Sequence, residues 1–365
     1  MNKIIPPKKF ILLTILILCL YILYHLIIWY TLSSKIFNRE DKLYIGDLGR
    51  MSYQVNSLYP RKLEYTLPHR ILNTKRYDQN IPINVLTIGD SFSNAGGAGK
   101  NPYYQDYLAT KYNLNIINIV NFTQKQHKVF EAIIALYNNG WLAKNRPQLI
   151  IIESAQRGVY ERFAKEFDFH QKNIIFEKLI EPSRTIDPYL PKLKLINTAN
   201  YKIPFYTFKY KLNIRAQKDV VKLHLSKKLF SPKNYKNFIL FHHSDVLNIK
   251  NNQNLVNKIH ENFNHLAKLL KTLDIKLLFL VAPDKYDIYY NYLENNPFQE
   301  NKFFELITPL HKEYLFIDTQ SILRNKLQKG TLDLYYSDDT HWSYKASDAV
   351  TDDILFQQFN QGKKR

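Results

Sequence analysis

The chain has 365 residues with 51 Lys and Arg against 32 Asp and Glu, a formal net charge of +19, and 14% aromatic residues. That length can bury a sizeable core, and the aromatic content with only ten glycines argues against disorder or fibrous repeats. The single cysteine, Cys19, excludes a disulfide framework and a thiolate metal site.

In chain order, a short tail (residues 1–9) precedes a run from Phe10 to Ser34 that has no charged residue. About 20 apolar residues suffice to cross a hydrocarbon core. The run is too long for a signal peptide and lacks an Ala-x-Ala-like exit, so residues 10–33 are expected to be an uncleaved transmembrane anchor. Trp29 and Tyr30 suit one interface, and His25, near the end of the span, is expected to be interfacial. Lysines and arginines flank both ends almost equally, so the charge rule does not orient the span. Residues 34–80, with Pro60 and Pro68 and little periodicity, read as a stalk and wrapping segment.

From residue 81 to 359 an α/β pattern follows. Candidate strands are Val85–Gly89, Asn115–Val120, Leu149–Glu153, Ile275–Val281 and Tyr314–Asp318. Candidate helices are Tyr103–Tyr112, Gln126–Tyr137 and Gln253–Leu273, with a closing helix over Ser343–Phe359. This alternation predicts a doubly wound, flavodoxin-like, mainly parallel sheet of about five strands. The gap between the third and fourth strands is too long for a loop. Residues about 165–250, rich in lysine and carrying Pro182, Pro188, Pro191 and Pro204, are expected to form an inserted cap; residues 360–365 are a basic tail. The excess positive charge suits an anionic lipid surface or an acidic polysaccharide, or is a solvated face. No nucleic-acid-binding signature accompanies it.

Two strings carry chemistry. Ile88-Gly89-Asp90-Ser91-Phe92 places a serine on the turn that leaves the first strand, at the carboxyl edge where such sheets bind ligands. Asp338-Asp339-Thr340-His341-Trp342 supplies a histidine with carboxylates two and three residues before it. Ser is a poor nucleophile until a base takes its proton; His has a suitable pKa, and a carboxylate on its other nitrogen fixes the tautomer. Ser91 is therefore the candidate nucleophile and His341 the base, with Asp339 or Asp338 as the orienting acid. The Ser91 N–H, the Asn94–Gly97 loop with Gly96 and Gly97, and the region of Thr123 are candidate oxyanion donors. Arg157, Lys285 and Trp342 follow strand ends or the histidine and are candidate substrate contacts. Arg157 could instead pair with Glu153 or Glu161, and Trp342 could instead be a core aromatic. No cluster has metal-ligand spacing, and no cofactor is implied.

These strings resemble the SGNH (GDSL-like) hydrolase superfamily, whose first block is Gly-Asp-Ser and whose last is Asp-x-x-His. Asp339-Thr340-His341-Trp342 and Val281-Ala282-Pro283-Asp284-Lys285-Tyr286 resemble the alginate O-acetyltransferase branch, and favour Asp339 as the acid. The resemblance implies a Ser-His-Asp site that forms an acyl-enzyme, and an O-acetyltransferase or esterase acting on a cell-envelope polysaccharide or peptidoglycan. It also implies an anchor in the inner membrane with the domain in the periplasm or cell exterior, and a multi-pass acyltransferase partner supplying acyl groups. The chain departs from the pattern at three places. Ser precedes Asp-x-His, whereas that branch has the reverse order. The Gly-x-Asn-Asp block is replaced by Ile152-Glu153-Ser154-Ala155-Gln156-Arg157, and the second-block Gly by Asn121-Phe122-Thr123-Gln124. A binding or assembly protein that keeps the fold without the chemistry is the alternative.

Overall fold

The computed structural model describes residues 7–33, 46–52, 67, 81–94, 103–120, 128–172, 194–212, 219–231 and 237–357. Its centre is a sheet of five parallel strands: β1 (Val85–Gly89), β2 (Ile116–Val120), β3 (Leu149–Ala155), β6 (Lys276–Ala282) and β7 (Leu315–Phe316), in the order β2-β1-β3-β6-β7. Val85 faces Ile116 on one side and Leu149 on the other, while Leu149 faces Lys276. Skipping the hairpin β4 (Val220–His224) and β5 (Phe238–His242), this is the doubly wound order with its reversal at β1 and β3. Ligand sites in such sheets open at that reversal, and Ser91 follows β1 there.

Both faces of the sheet are buried, so the strands read as continuous apolar runs such as Leu149-Ile150-Ile151-Ile152. Alternate residues serve opposite faces. Val85, Ile151, Leu278 and Leu280 pack with Tyr104, Leu108, Leu323, Ala346 and Val350 from the helices Tyr104–Tyr112, Thr319–Gln328 and Tyr344–Thr351. Leu86, Ile88, Ile150, Ile152 and Phe279 pack with Phe130, Ile133, Phe263 and Leu266 from Val129–Asn138 and Gln253–Lys271. The latter helix buries Val256, Ile259, Phe263, Leu266 and Leu270 at helical spacing, and Asn252 caps it by accepting from Asn254 N and Leu255 N.

The expected elements appear within a few residues of their sequence bounds, with two differences. The closing helix ends at Thr351, and a second short helix, Ile354–Gln357, follows Asp352 and Asp353. The long segment between β3 and β6 holds a strand pair as well as helix. β4 and β5 pair antiparallel, Val220 opposite His242, and pack on the Tyr104 face of the sheet. Residues 46–52, read from sequence as wrapping segment, include a helix at Asp47–Ser52 lying against this hairpin.

The helix Pro7–Ile28, continued by a wider turn at Trp29–Ser33, is long and apolar enough to cross a membrane. At about 1.5 Å per residue it spans about 33 Å. Its first four turns expose their side chains, while among the described residues its last turns pack against the helix at Ala199–Lys211.

Candidate active site

The turn after β1 is built around a buried carboxylate. Glu153, on β3, accepts from Asp90 N (3.0 Å), Ser93 N (3.1 Å) and Ser93 Oγ (2.9 Å) through Oε2. The space this takes explains the glycine: a Cβ on Gly89 would lie 2.3 Å from Glu153 Oε2. Asp90 fixes the other side of the turn, accepting from Phe92 N (3.1 Å), Ala155 N (2.8 Å) and Arg162. Burial opposes its charge, but the Arg162 guanidinium and these donors hold its carboxyl below the ordinary range. Burial and the neighbouring Asp90 push Glu153 well above it.

Ser91 Oγ lies 2.7 Å from His341 Nε2, and His341 Nδ1 lies 2.6 Å from Asp339 Oδ1. Asp339 Oδ1 also accepts from His341 N (2.9 Å), which fixes the carboxylate relative to its own ring. Asp338, one residue earlier, turns its Oδ2 to Gly46 N (2.7 Å). Burial works against the imidazolium, but the charges of Asp339 and Asp47 outweigh it and raise the His341 pKa above the ordinary value.

Asp47, which the sequence did not single out, completes this loop. Its N–H donates to Asp339 Oδ2 (3.1 Å), while its carboxylate accepts from Thr340 N (2.8 Å) and Thr340 Oγ1 (2.5 Å). Its Oδ2 is 3.8 Å from His341 Nδ1. Burial and the nearby Asp339 push its carboxyl up. Donor atoms of Asp47, Asp339 and His341 all lie within 4.8 Å of one another, close enough for one cation. They are instead committed to a hydrogen-bond chain, with both Asp47 oxygens on Thr340 and both ring nitrogens engaged.

The remaining candidates separate. Lys285 is fully buried, and its ammonium donates to the carbonyls of Tyr336 (2.8 Å), Ser337 (2.8 Å) and Asp339 (3.2 Å). It braces the loop that carries Asp339 and His341, with its ammonium spent on backbone carbonyls. Trp342 is also buried: Phe92 packs edge-on against it at 5.1 Å and lies 4.9 Å from the His341 ring, so the core reading holds. Arg157 pairs with Asp284 (2.8 Å) and Asp245 (3.5 Å), rather than with Glu153 or Glu161. Burial pushes both carboxyls up, helped at Asp245 by the charge of Asp284 and at Asp284 by that of Asp90; Asp284 is pushed up to about 6. Gly96, Gly97 and Thr123 lie outside the described residues. Among the described residues the Ser91 N–H has no partner, whereas the N–H groups of Asp90, Phe92 and Ser93 on either side of it are taken.

A serine hydrogen-bonded to a histidine, itself held by a carboxylate, is the arrangement an activated nucleophile needs. The decisive comparison falls on the histidine half of it. Residues 239–357 match the family model of the SGNH hydrolase-like domain of the acetyltransferase AlgX. The matched stretch runs from β5 to the final helix and carries Lys285, Asp339 and His341; Ser91 lies outside it. No curated protein matches the chain. With the doubly wound sheet and the Gly-Asp-Ser turn, the match makes this an SGNH-like α/β fold with an apolar N-terminal helix.

Sequence reasoning missed Asp47 because its partners are 292 residues away and no local pattern marks it. It did see Glu153, but only as one alternative partner of Arg157, beside Glu161. The Gly-Asp-Ser string held the better signal, since a glycine where the strand ends leaves room for something large and close.

Proposed function

We propose that the chain is a membrane-anchored SGNH-like O-acyltransferase or esterase, most closely of the kind that moves acetyl groups to or from a cell-envelope polysaccharide. The observation that carries this is the unbroken chain Ser91 Oγ–His341 Nε2, 2.7 Å, and His341 Nδ1–Asp339 Oδ1, 2.6 Å. Ser91 Oγ attacks the acyl carbonyl carbon while its proton passes to His341 Nε2. The Ser91 N–H is placed to donate to the developing oxyanion. Collapse breaks the bond to the donor's leaving oxygen or sulfur, which takes the proton from His341 and leaves an acyl-Ser91 ester. A sugar hydroxyl or water, deprotonated by His341, then attacks that ester; Ser91 leaves as the alcohol. Asp339 keeps the ring in the tautomer that has Nε2 free to accept.

The domain's place outside the cytoplasm is proposed from the family likeness and the apolar helix; a multi-pass acyltransferase partner that would carry acyl groups across is proposed from the family resemblance alone. The competing reading, a glycan-binding or assembly protein, is favoured by the absent Gly-x-Asn-Asp block and opposed by the aligned serine, histidine and aspartate. A fluorophosphonate probe separates them. Labelling of the full chain at Ser91, abolished in Ser91→Ala and strongly reduced in His341→Ala, supports the enzyme. Equal labelling of wild type and Ser91→Ala, or none of either, favours the binding protein.

A further inference from the structure

The helix Ala199–Lys211 is tied to the last turns of the apolar N-terminal helix by a set of matched polar contacts. Pro204 has no N–H for the Asn200 carbonyl four residues before it, and Tyr24 Oη donates to that carbonyl instead, at 2.8 Å. Asn200 Nδ2 donates to His25 Nδ1 (2.7 Å), which puts the ring proton on Nε2, facing Tyr201 Oη at 2.8 Å. Ser33 Oγ donates to Asn200 Oδ1, and the Tyr201 ring stacks on Tyr24 at 5.5 Å. His25 is thus fully buried.

The same helix leaves an apolar row uncovered. Tyr201, Phe205, Phe208 and Leu212 recur at helical spacing and are 47%, 54%, 61% and 54% exposed, while Ile203, off the row, is buried. Large apolar side chains aligned on one face are unusual on a surface that meets only water. The row begins at Tyr201, the residue stacked on the span. The row thus starts against the span, whose residues Tyr21 and Leu23 near this contact are themselves exposed. Lysines border it: Lys194 and Lys202 are exposed, and Lys209 Nζ lies 4.8 Å over the Phe205 ring. Aromatic residues with flanking lysines are what a helix lying in a headgroup layer presents.

We infer that the face Tyr201, Phe205, Phe208 and Leu212 is seated in the interface of the bilayer that Pro7–Ile28 crosses. The domain is then held to the membrane at two joined points, the span and this helix, fixing its height and tilt. The inference rests on the membrane-anchored reading above, but not on the chemistry at Ser91.

The test uses the full chain in phosphatidylethanolamine–phosphatidylglycerol vesicles, with Cys19→Ser removing the only cysteine. A nitroxide is attached, one at a time, to Leu16→Cys in the span, Phe208→Cys on the row, and Lys268→Cys on the exposed side of Gln253–Lys271. Collision rates with oxygen, which enters lipid, and with a water-soluble nickel chelate are measured by power saturation. The expected result is a nickel-to-oxygen ratio at 208 severalfold below that at 268 and close to that at 16. A ratio at 208 equal to that at 268, with 16 in lipid, overturns the inference and leaves the anchor standing. A label at 16 that meets the nickel chelate freely removes the anchor and the inference together. Shielding of 208 from both reagents overturns it by placing protein on the row.

Discussion

The backbone N–H of Asp47 donates to Asp339 Oδ2 at 3.1 Å, while the Asp47 carboxylate grips Thr340, the residue between Asp339 and His341. The segment 46–52 therefore holds the loop that carries Asp339 and His341. Asp47 also adds negative charge 3.8 Å from His341 Nδ1, on the side opposite Ser91.

This charge has a pH consequence. His341 works as a base only when neutral, and its raised pKa places the acidic limb of activity above the ordinary histidine value. Asp47→Asn keeps an oxygen for Thr340 N but removes one of the charges that favour the imidazolium. The limb should move to lower pH, by about 1 unit at most. The measurement is kcat/KM on a small acetyl ester against pH for both proteins. A shift to higher pH, or an unmoved limb with a uniform loss of rate, would mean that Asp47 acts only by holding the loop.

The two adjacent carboxylates should differ sharply. Asp339 faces the ring, so Asp339→Asn should lower kcat by about 10⁴-fold, as loss of an orienting acid does, with little change in Tm. Asp338 accepts from Gly46 N, so Asp338→Asn should act on the docking of residues 46–52 and cost much less rate. Steady-state kinetics and thermal melts on both variants decide it. Comparable losses of kcat would remove the distinction.

Much of this site was legible because its chemistry sits on regular local signals. An apolar strand running into Gly-Asp-Ser singled out Ser91, and Asp338-Asp339-Thr340-His341 singled out a histidine with a carboxylate two or three residues before it, of which the resemblance favoured Asp339. What was not legible depends on contacts far apart in the chain. Lys285 follows a strand end at the correct edge, like a substrate contact, yet folding turns it under the loop at 336–339. Arg157 could have paired with nearby glutamates, but its partners are Asp245, within the lysine-rich segment, and Asp284, 127 residues along the chain. The β4–β5 pair was hidden because β4, Val220-Val221-Lys222-Leu223-His224, is a short mixed run inside a lysine-rich segment. Periodicity over so short a span does not distinguish strand from helix.

Gly89 offers a test of the turn itself. Adding a methyl group brings Cβ to 2.3 Å from Glu153 Oε2 and 2.6 Å from Ser93 Oγ, both held in hydrogen bonds. Gly89→Ala should therefore destabilise the domain by about 1–3 kcal/mol, as overpacking does. Ser91 should also be displaced relative to His341, lowering probe labelling at temperatures where the fold persists. The double variant Gly89→Ala/Glu153→Ala should recover little, because it empties the pocket but strips the donors on Asp90 and Ser93 of their acceptor. Chemical denaturation with labelling at a fixed low temperature separates the two effects. Wild-type stability in Gly89→Ala would show that the turn has room the geometry denies it.

Lys285 carries the last prediction. Its buried ammonium serves three carbonyls of the loop that presents Asp339 and His341, with Phe230 beneath it at 5.2 Å. Removing one partner of a buried charged network leaves the others unsatisfied, at about 3–5 kcal/mol. Lys285→Met should thus lower Tm by many degrees, and the damage should centre on residues 336–341. Hydrogen exchange should rise there first, while amides of β1 and β3 keep their protection. A surface lysine contacting substrate would behave differently: Lys285→Met would then raise KM and leave Tm and exchange at wild-type values. That outcome would return Lys285 to the substrate side of the site.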